Sequence, residues 1–344
     1  MTRRYWQCRC GVAGSYAADD VLGVDGRFSK TVQKHGCRLA ADGSFDKASE
    51  HLDAMLGVLI AAETLRKLVQ AHGQAMARFQ PQDEATATAF RQAAGAVEFA
   101  TDAGKVNTRE EGWKDLKIAV VSKREAAKPA TPDQWDTRVL PGATIVLAFA
   151  MIATSKAFRR TWRTPLRRLG VQAFAAVQAL GDGAGWIWKS VNRVLTGCTQ
   201  TLDIYHAAER LSLCAQRIFG ETTMAAQAAF ERGRSLLLHD GWSGICAWAG
   251  ELLAVDDPAE RERRRQATDK MLNYFAKHVD RLNYRAMLAQ GKAIGSGVVE
   301  GQAKTLGLRL KCRGARWNFG NVRPMASLVC VRNSVQWHAY WAAA

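Results

Sequence analysis

Apolar residues recur at helical spacing through residues 45 to 73, "FDKASEHLDAMLGVLIAAETLRKLVQAHG": Phe45, Ala48, Leu52 and Leu56 form one stripe, Gly57 interrupts it, and Thr64, Leu65, Leu68 and Val69 resume it. Such spacing on both sides of a glycine predicts two helices around a turn. Helical texture continues through "HGQAMARFQPQDEATATAFRQAAG", broken at Pro81. After Gly95 the texture changes. "AVEFATD" alternates and ends on Asp102, while "LKIAVVS" (116–122) and "ATIVLAFA" (143–150) are short apolar runs, the mark of neighbouring strands in one sheet. "VQAFAAVQAL" is another apolar run that stops at Gly181, Asp182 and Gly183; its alanines favour a helix by propensity, and its place before a glycine turn reads as a strand. A helix with Trp186 and Trp188 follows, then a strand candidate in "CTQTLDIYH" (198–206) that runs into helix from about Tyr205. Residues 205–290 are almost wholly helical in pattern, and a last helix covers 297–313. Strands alternating with helices, then a helical block, predict an α/β sheet with an all-helical insertion.

The 344-residue chain, 48% hydrophobic, has enough apolar material for a substantial core. Its formal charge of +16 argues for a polyanionic partner, because Lys and Arg set against phosphates release condensed counterions. Nucleic acid fits better than a membrane, since no stretch reaches the roughly 18 uninterrupted apolar residues of a spanning helix. "MTRRYWQ" has a basic start without an apolar run behind it, so the expected location is the cytosol or the nucleoid. Eight cysteines are scattered without a CxxC pair, which announces neither a disulfide framework nor a zinc site. Cys8 and Cys10 alone stand close, either as two thiols or as half of a small zinc site.

The positive charge is concentrated. No acid occurs from Thr137 to Gly181, where Lys156, Arg159, Arg160, Arg163, Arg167 and Arg168 cluster around Trp162; this reads as a DNA-backbone surface or as a solvated basic face. The helix pair around Gly57 has the form of a helix-turn-helix, or of a hairpin used only for packing. Trp242 and Trp248 in the helical block suit a helical core or stacking on a base. Asp102 and Asp182 each follow an apolar run near a glycine, where a strand-end side chain can face a ligand. Glu300, the last acid of the chain, shares a helix face with Lys304, Gly307 and Lys311, beside an apolar stripe of Val299, Ala303, Leu306 and Leu310. Two strand-end carboxylates and one from a helix can hold a pair of Mg²⁺ ions about 3.5–4 Å apart, the arrangement of phosphodiester cleavage. By pattern alone, the same acids also suit surface sites and salt-bridge partners.

"GSGVVEGQAKTLGLRLKCRGARW" closely resembles the stretch that carries the last catalytic acid in ISKra-type insertion-sequence transposases, a family of the Mutator-like DDE group. "TDAGKVNTREEGWKDLKIAVVSKRE" resembles that family's first-Asp segment, "LGDGAGWIWKSV" its second, and "LDIYHAAERL" its following Asp-x-x-His segment. Order and spacing match over residues 8 to 341. One departure stands at the first motif, where Ala103 separates Asp102 from Gly104. The resemblance implies an RNase H-like mixed sheet flanked by helices, with the helical insertion before the last acid; the helix pair around Gly57 adds an N-terminal helix-turn-helix domain to that expectation. It implies Asp102, Asp182 and Glu300 as catalytic metal ligands for two Mg²⁺ or Mn²⁺ ions, with Asp203 and His206 in support. Asp203, also at a strand end, is the competing second ligand.

Domains are expected at 1–94 (DNA-binding region), 95–204 (first part of the catalytic core), 205–292 (insertion) and 293–344 (last part of the core, with the Glu300 helix and basic C-terminus). The DNA-contact candidates are Lys304, Arg309, Lys311, Arg313, Arg316, Arg159, Arg160 and Arg163. Trp317, in "RGARW", suits structure or stacking. The expected function is a DDE transposase that binds terminal inverted repeats and target DNA as a homodimer or larger assembly, and cuts and joins DNA with Mg²⁺. The alternatives are a catalytically silent or domesticated DNA-binding regulator, and a general RNase H-like nuclease.

Overall fold

The computed structural model describes residues 24, 25, 27–171 and 176–343. The Cys8 and Cys10 pair lies outside them. A short antiparallel pair, β1 (Val24–Asp25) and β2 (Phe28–Ser29), precedes four helices: α1 (Lys30–Asp42), α2 (Phe45–Leu56), α3 (Ala62–Phe79) and α4 (Glu84–Gln92). The hydroxyls of Ser29 and Ser44 accept from the N–H groups of Val32 and Lys47, satisfying donors that a first helical turn leaves open. Gly57 ends α2 in the left-handed region, at φ 61°, where a side chain would be strained. The helix pair thus stands on either side of the expected glycine.

Five strands make one mixed sheet: β3 (Ala96–Thr108), β4 (Gly112–Arg124), β5 (Ile145–Ile152), β6 (Val177–Gly181) and β7 (Thr199–Leu202), in the order β5-β4-β3-β6-β7. β3, β4 and β5 are antiparallel, and β6 and β7 extend the sheet in parallel. The alanine-rich run ends as strand β6 because every residue from Val177 to Gly181 is buried between two neighbours, and that placement outweighs alanine's helical preference. β3 departs from expectation: it continues past Asp102 because its antiparallel partner β4 stays paired out to Thr108 and Gly112. Its parallel partner β6 last pairs at Ala100 and Leu180, so Asp102 stands mid-strand, just beyond the neighbour's last pair.

Helices cover both faces. On one, Phe99, Ala119, Leu147 and Ala179 pack with Phe158, Trp162 and Leu166 of α5 (Ser155–Arg168), Trp188 of α6 (Gly185–Val194) and Leu211 of α7 (Ile204–Phe219). That core runs on into the helical block of α8 (Met224–Asp240), α9 (Trp242–Leu253), α10 (Pro258–Phe275), a 3-10 segment (Ala276–Arg281) and α11 (Tyr284–Ala289). The other face packs Ala100, Ile118, Val120 and Leu180 against α1 to α3 and against α12 (Gly297–Leu310), α13 (Phe319–Arg332) and α14 (Gln336–Ala343). α3 and α13 meet closely at Gly73, where an added Cβ would sit 2.3 Å from the Pro324 carbonyl oxygen. This mixed α/β architecture is consistent with an RNase H-like fold. Among the described residues, no helix is long and apolar enough to cross a membrane.

Candidate active site

Register brings the acids together. β3 and β6 pair from Val97 with Val177 to Ala100 with Leu180, and β6 and β7 from Gln178 with Thr199 to Gly181 with Leu202. Continued past their last pairs, these registers set Asp102, Asp182 and Asp203 in one row across three neighbouring strands. Ala100 and Leu180 face the layer that holds α12, and strand alternation gives the row that same face. α12 lays Val299, Leu306 and Leu310 on this face and carries Glu300 in its first turn. The C-terminal ends of β6 and β7, where the row sits, are where parallel strands receive ligands.

Asp182 is partly buried. Its Oδ1 accepts from the Ala184 N–H at 2.8 Å, and its carbonyl accepts from the Trp188 indole at 2.8 Å. Burial pushes its carboxyl above the usual range; the Ala184 bond pulls the other way, and the charges of Asp102 and Asp203 push it further up. Gly183 is needed for space, since a Cβ there would lie 2.4 Å from the Tyr274 ring. Asp102 and Glu300 are also partly buried, and among the described residues neither they nor Asp182 has a salt-bridge partner.

Asp203 is different in kind. Fully buried at the head of α7, it accepts on Oδ1 from the His206 N–H (2.9 Å) and ring Nδ1 (3.2 Å), and on Oδ2 from the Ser296 N–H (2.5 Å) and hydroxyl (2.8 Å). Four donors match the about four lone-pair sites of a carboxylate. Burial raises its pKa, and the bonds from His206 and Ser296 outweigh that and hold it below the usual carboxylate value. The same bond lifts His206 to about 9 against burial, helped by the charges of Asp203, Asp182 and Glu300. Ser296 reaches Glu300 as well, with its hydroxyl 3.3 Å from Oε1. Sequence reasoning missed Ser296; its signal is its place four residues before Glu300 at a helix start.

Asp203, His206 and Glu300 offer donor atoms that all lie within 4.8 Å of one another, a spacing open to a metal ion. The hydrogen bonds argue otherwise for two of them. Asp203 already accepts four hydrogen bonds, and the His206 ring is engaged with it through Nδ1. Asp102, Asp182 and Glu300 each keep carboxylate oxygens free of salt bridges among the described residues, and such oxygens suit a hard cation such as Mg²⁺ or Mn²⁺.

The basic candidates divide three ways. Lys304, Lys311, Arg313 and Arg316 are exposed on or just after α12. Arg159, Arg160 and Arg163 lie on α5, in the helical layer across the sheet from Glu300, with Phe158 and Trp162 turned into the core. Arg309 is a correction: it is 3% exposed, its Nε donates to the Ala40 carbonyl at 2.6 Å, and its guanidinium lies 4.9 Å from the Phe45 ring and 4.8 Å from the Trp317 ring. Apolar packing at this turn of α12 has drawn it off the surface. Trp317 donates its indole N–H to the Leu310 carbonyl, and Trp248 is buried against Gly233, so both serve structure.

No family model and no curated protein matches the chain. Among solved structures, the Drosophila P element transposase strand transfer complex is similar over 93% of this chain and 96% of that chain, with a TM-score of 0.44 and 10% sequence identity. At that identity and score the likeness assigns no role to any residue of this chain.

Proposed function

We propose that the protein is a DDE transposase of a bacterial insertion sequence, binding terminal inverted repeats and catalysing Mg²⁺-dependent DNA cleavage and strand transfer on an RNase H-like core. One observation carries the reading: in a strongly basic chain, Asp102 and Asp182 fall in one row with Asp203 at the end of the sheet, and Asp203 and Ser296 bring Glu300, from a distant part of the chain, to that same end. Asp102, Asp182 and Glu300 would hold the metal. When bound, divalent ions at such a set supply an activated water and a stabilised leaving oxygen. The chain's own residues do the positioning. Asp203 clamps the backbone N–H of Ser296 just ahead of α12, and the Ser296 hydroxyl, between Asp203 and Glu300, orients the third acid. Protonated His206 offsets part of the local negative charge and leaves the three ligands unpaired. The exposed Lys304 and Lys311 would hold the strand being cut, and the outward faces of α2 and α3 would read the terminal repeat. Handling two ends together calls for a dimer or larger assembly on DNA.

The test is cleavage and strand transfer on a labelled duplex carrying the element's own terminal repeat, with Mg²⁺ or EDTA, comparing wild type with Glu300→Gln. Metal-dependent cutting at the repeat end, lost in the variant, is the expected result. Tight binding without cutting in either protein would make it a DNA-binding regulator, and cutting that survives the substitution would move the active site elsewhere.

A further inference from the structure

An open groove lies at the far end of α12 from Glu300, between the starts of α2 and α3 and the loop that follows α12. Five arginines line it, Arg66, Arg109, Arg309, Arg313 and Arg316, against two acids, Asp46 and Glu63. Glu63 is already paired with Arg66, whereas Arg109, Arg313 and Arg316 have no acidic partner among the described residues. Arg309 forms part of the floor. Although 97% of its surface is covered, its Nη2 has no hydrogen-bond partner within the described protein. Burial pushes this guanidinium down to about 10. Beyond its bond to Ala40 and its two ring contacts, this buried charge has no acid beside it among the described residues, and a phosphate above it would offset the cost of burying it. The floor is also held in advance: the Trp317 N–H donates to the Asn107 carbonyl at 3.0 Å, and the Arg109 N–H to the Trp317 carbonyl at 2.9 Å. These two bonds fasten the loop to the end of β3.

We propose that this groove is a second contact for a nucleic-acid backbone, separate from the acid row, with consecutive phosphates set against Arg109, Arg313 and Arg316 above the buried Arg309. At 1.5 Å per residue, the nine steps from Glu300 to Arg309 put the groove about 14 Å from the third acid. At 3.4 Å per base pair, that is about four base pairs along a duplex. The inference rests on the transposase reading only for the identity of the polymer as duplex DNA; the arginine chemistry requires a chain of phosphodiesters.

The experiment is fluorescence anisotropy of a labelled duplex with full-length protein in EDTA, from about 50 to 300 mM salt, where no cutting occurs. It compares wild type with Arg313→Ala/Arg316→Ala, both exposed, and with Arg263→Ala/Arg265→Ala, which removes equal charge from α10 outside the groove. Each lost phosphate contact lowers the slope of log K against log salt by about 0.9. The groove variant should therefore lose about 2 from the slope, and the α10 variant should keep the wild-type slope. An unchanged slope in the groove variant, or an equal loss in both variants, overturns the proposal. Failure of the transposase reading shows separately, as absent cutting when Mg²⁺ is restored, and leaves the anisotropy comparison intact.

Discussion

Asp203 and Asp182 both follow the ends of parallel strands and both become amides by a change of one heavy atom, yet only the Asp203 variant should lose stability. Asp203→Asn replaces an acceptor of four hydrogen bonds with one carbonyl oxygen and one NH₂ group. Whichever way the amide turns, two donors, from either His206 or Ser296, lose their acceptor and face another N–H. A buried donor left unsatisfied costs about 1–3 kcal/mol. The Ser296 hydroxyl can turn to Glu300 and the His206 ring is partly exposed, which sets the loss near 3 kcal/mol, toward the lower part of the range for two donors. At about 2.1 cal/mol/K per residue, unfolding 344 residues carries roughly 0.7 kcal/mol/K, so the melting midpoint should drop by about 4 °C. Asp182→Asn keeps an oxygen for the Ala184 N–H and removes a charge that burial and two neighbouring carboxylates disfavour. Its midpoint should hold or rise. Thermal unfolding followed by circular dichroism at pH 7 in EDTA measures both. Equal shifts, or an Asp203→Asn midpoint within 1 °C of wild type (about 0.7 kcal/mol on the same scale), would refute the division of labour between the two acids.

Asp102→Asn should bind duplex within about twofold of wild type while Mg²⁺-dependent cutting falls at least about 10²-fold; cutting that persists removes Asp102 from the ligand set. NMR titration in EDTA should find the His206 ring near pH 9 in wild type and close to 6.5 in Asp203→Asn. Because the folded value is raised, the pair stabilises fully below about pH 6.5 and loses that contribution as pH rises through about 9; a wild-type ring titrating at 6.5 contradicts the ion pair. Gly73→Ala gains about 1 kcal/mol of helix propensity but forces its Cβ to within 2.3 Å of the Pro324 oxygen, a clash worth about 1–3 kcal/mol. Its urea midpoint should fall, and an unchanged midpoint would show that α3 and α13 are not locked together.

Much of the sheet was legible because its strands are apolar runs bounded by glycine, and the Gly57 helix pair because its stripes are regular. The run of β3 beyond Asp102 was not, since "AGKVNT" is polar and becomes strand only through its hairpin partner β4. Likewise nothing in the basic run from Lys304 to Arg316 distinguishes Arg309 from Arg313. Position on the helix does: Arg309 comes one turn after Leu306 on the side that meets Ala40 of α1, Phe45 and Trp317, and that packing makes the side interior. α13 was not foreseen because it carries Pro324 and lacks a polar face, being buried from Pro324 to Val331.

The long helical block raises a different question: how Glu300 reaches a row of acids whose last member, Asp203, lies 97 residues earlier. The block leaves the core at Asp203 and returns at Ser296, and those two residues are joined. The Ile204 N–H donates to the Ile294 carbonyl at 3.0 Å, and Asp203 takes both donors of Ser296. Exit and re-entry are therefore adjacent points on the same strand end, as expected of an insertion whose termini lie close together. Placement of α12 then depends on this junction and on Val299, Leu306 and Leu310 against the sheet, with little demand on the length of what lies between. Under the proposed function, Asp203 would bear on the reaction by holding the segment that carries Glu300. An Asp203→Asn protein should accordingly lose cutting together with stability, whereas Asp182→Asn should lose cutting alone.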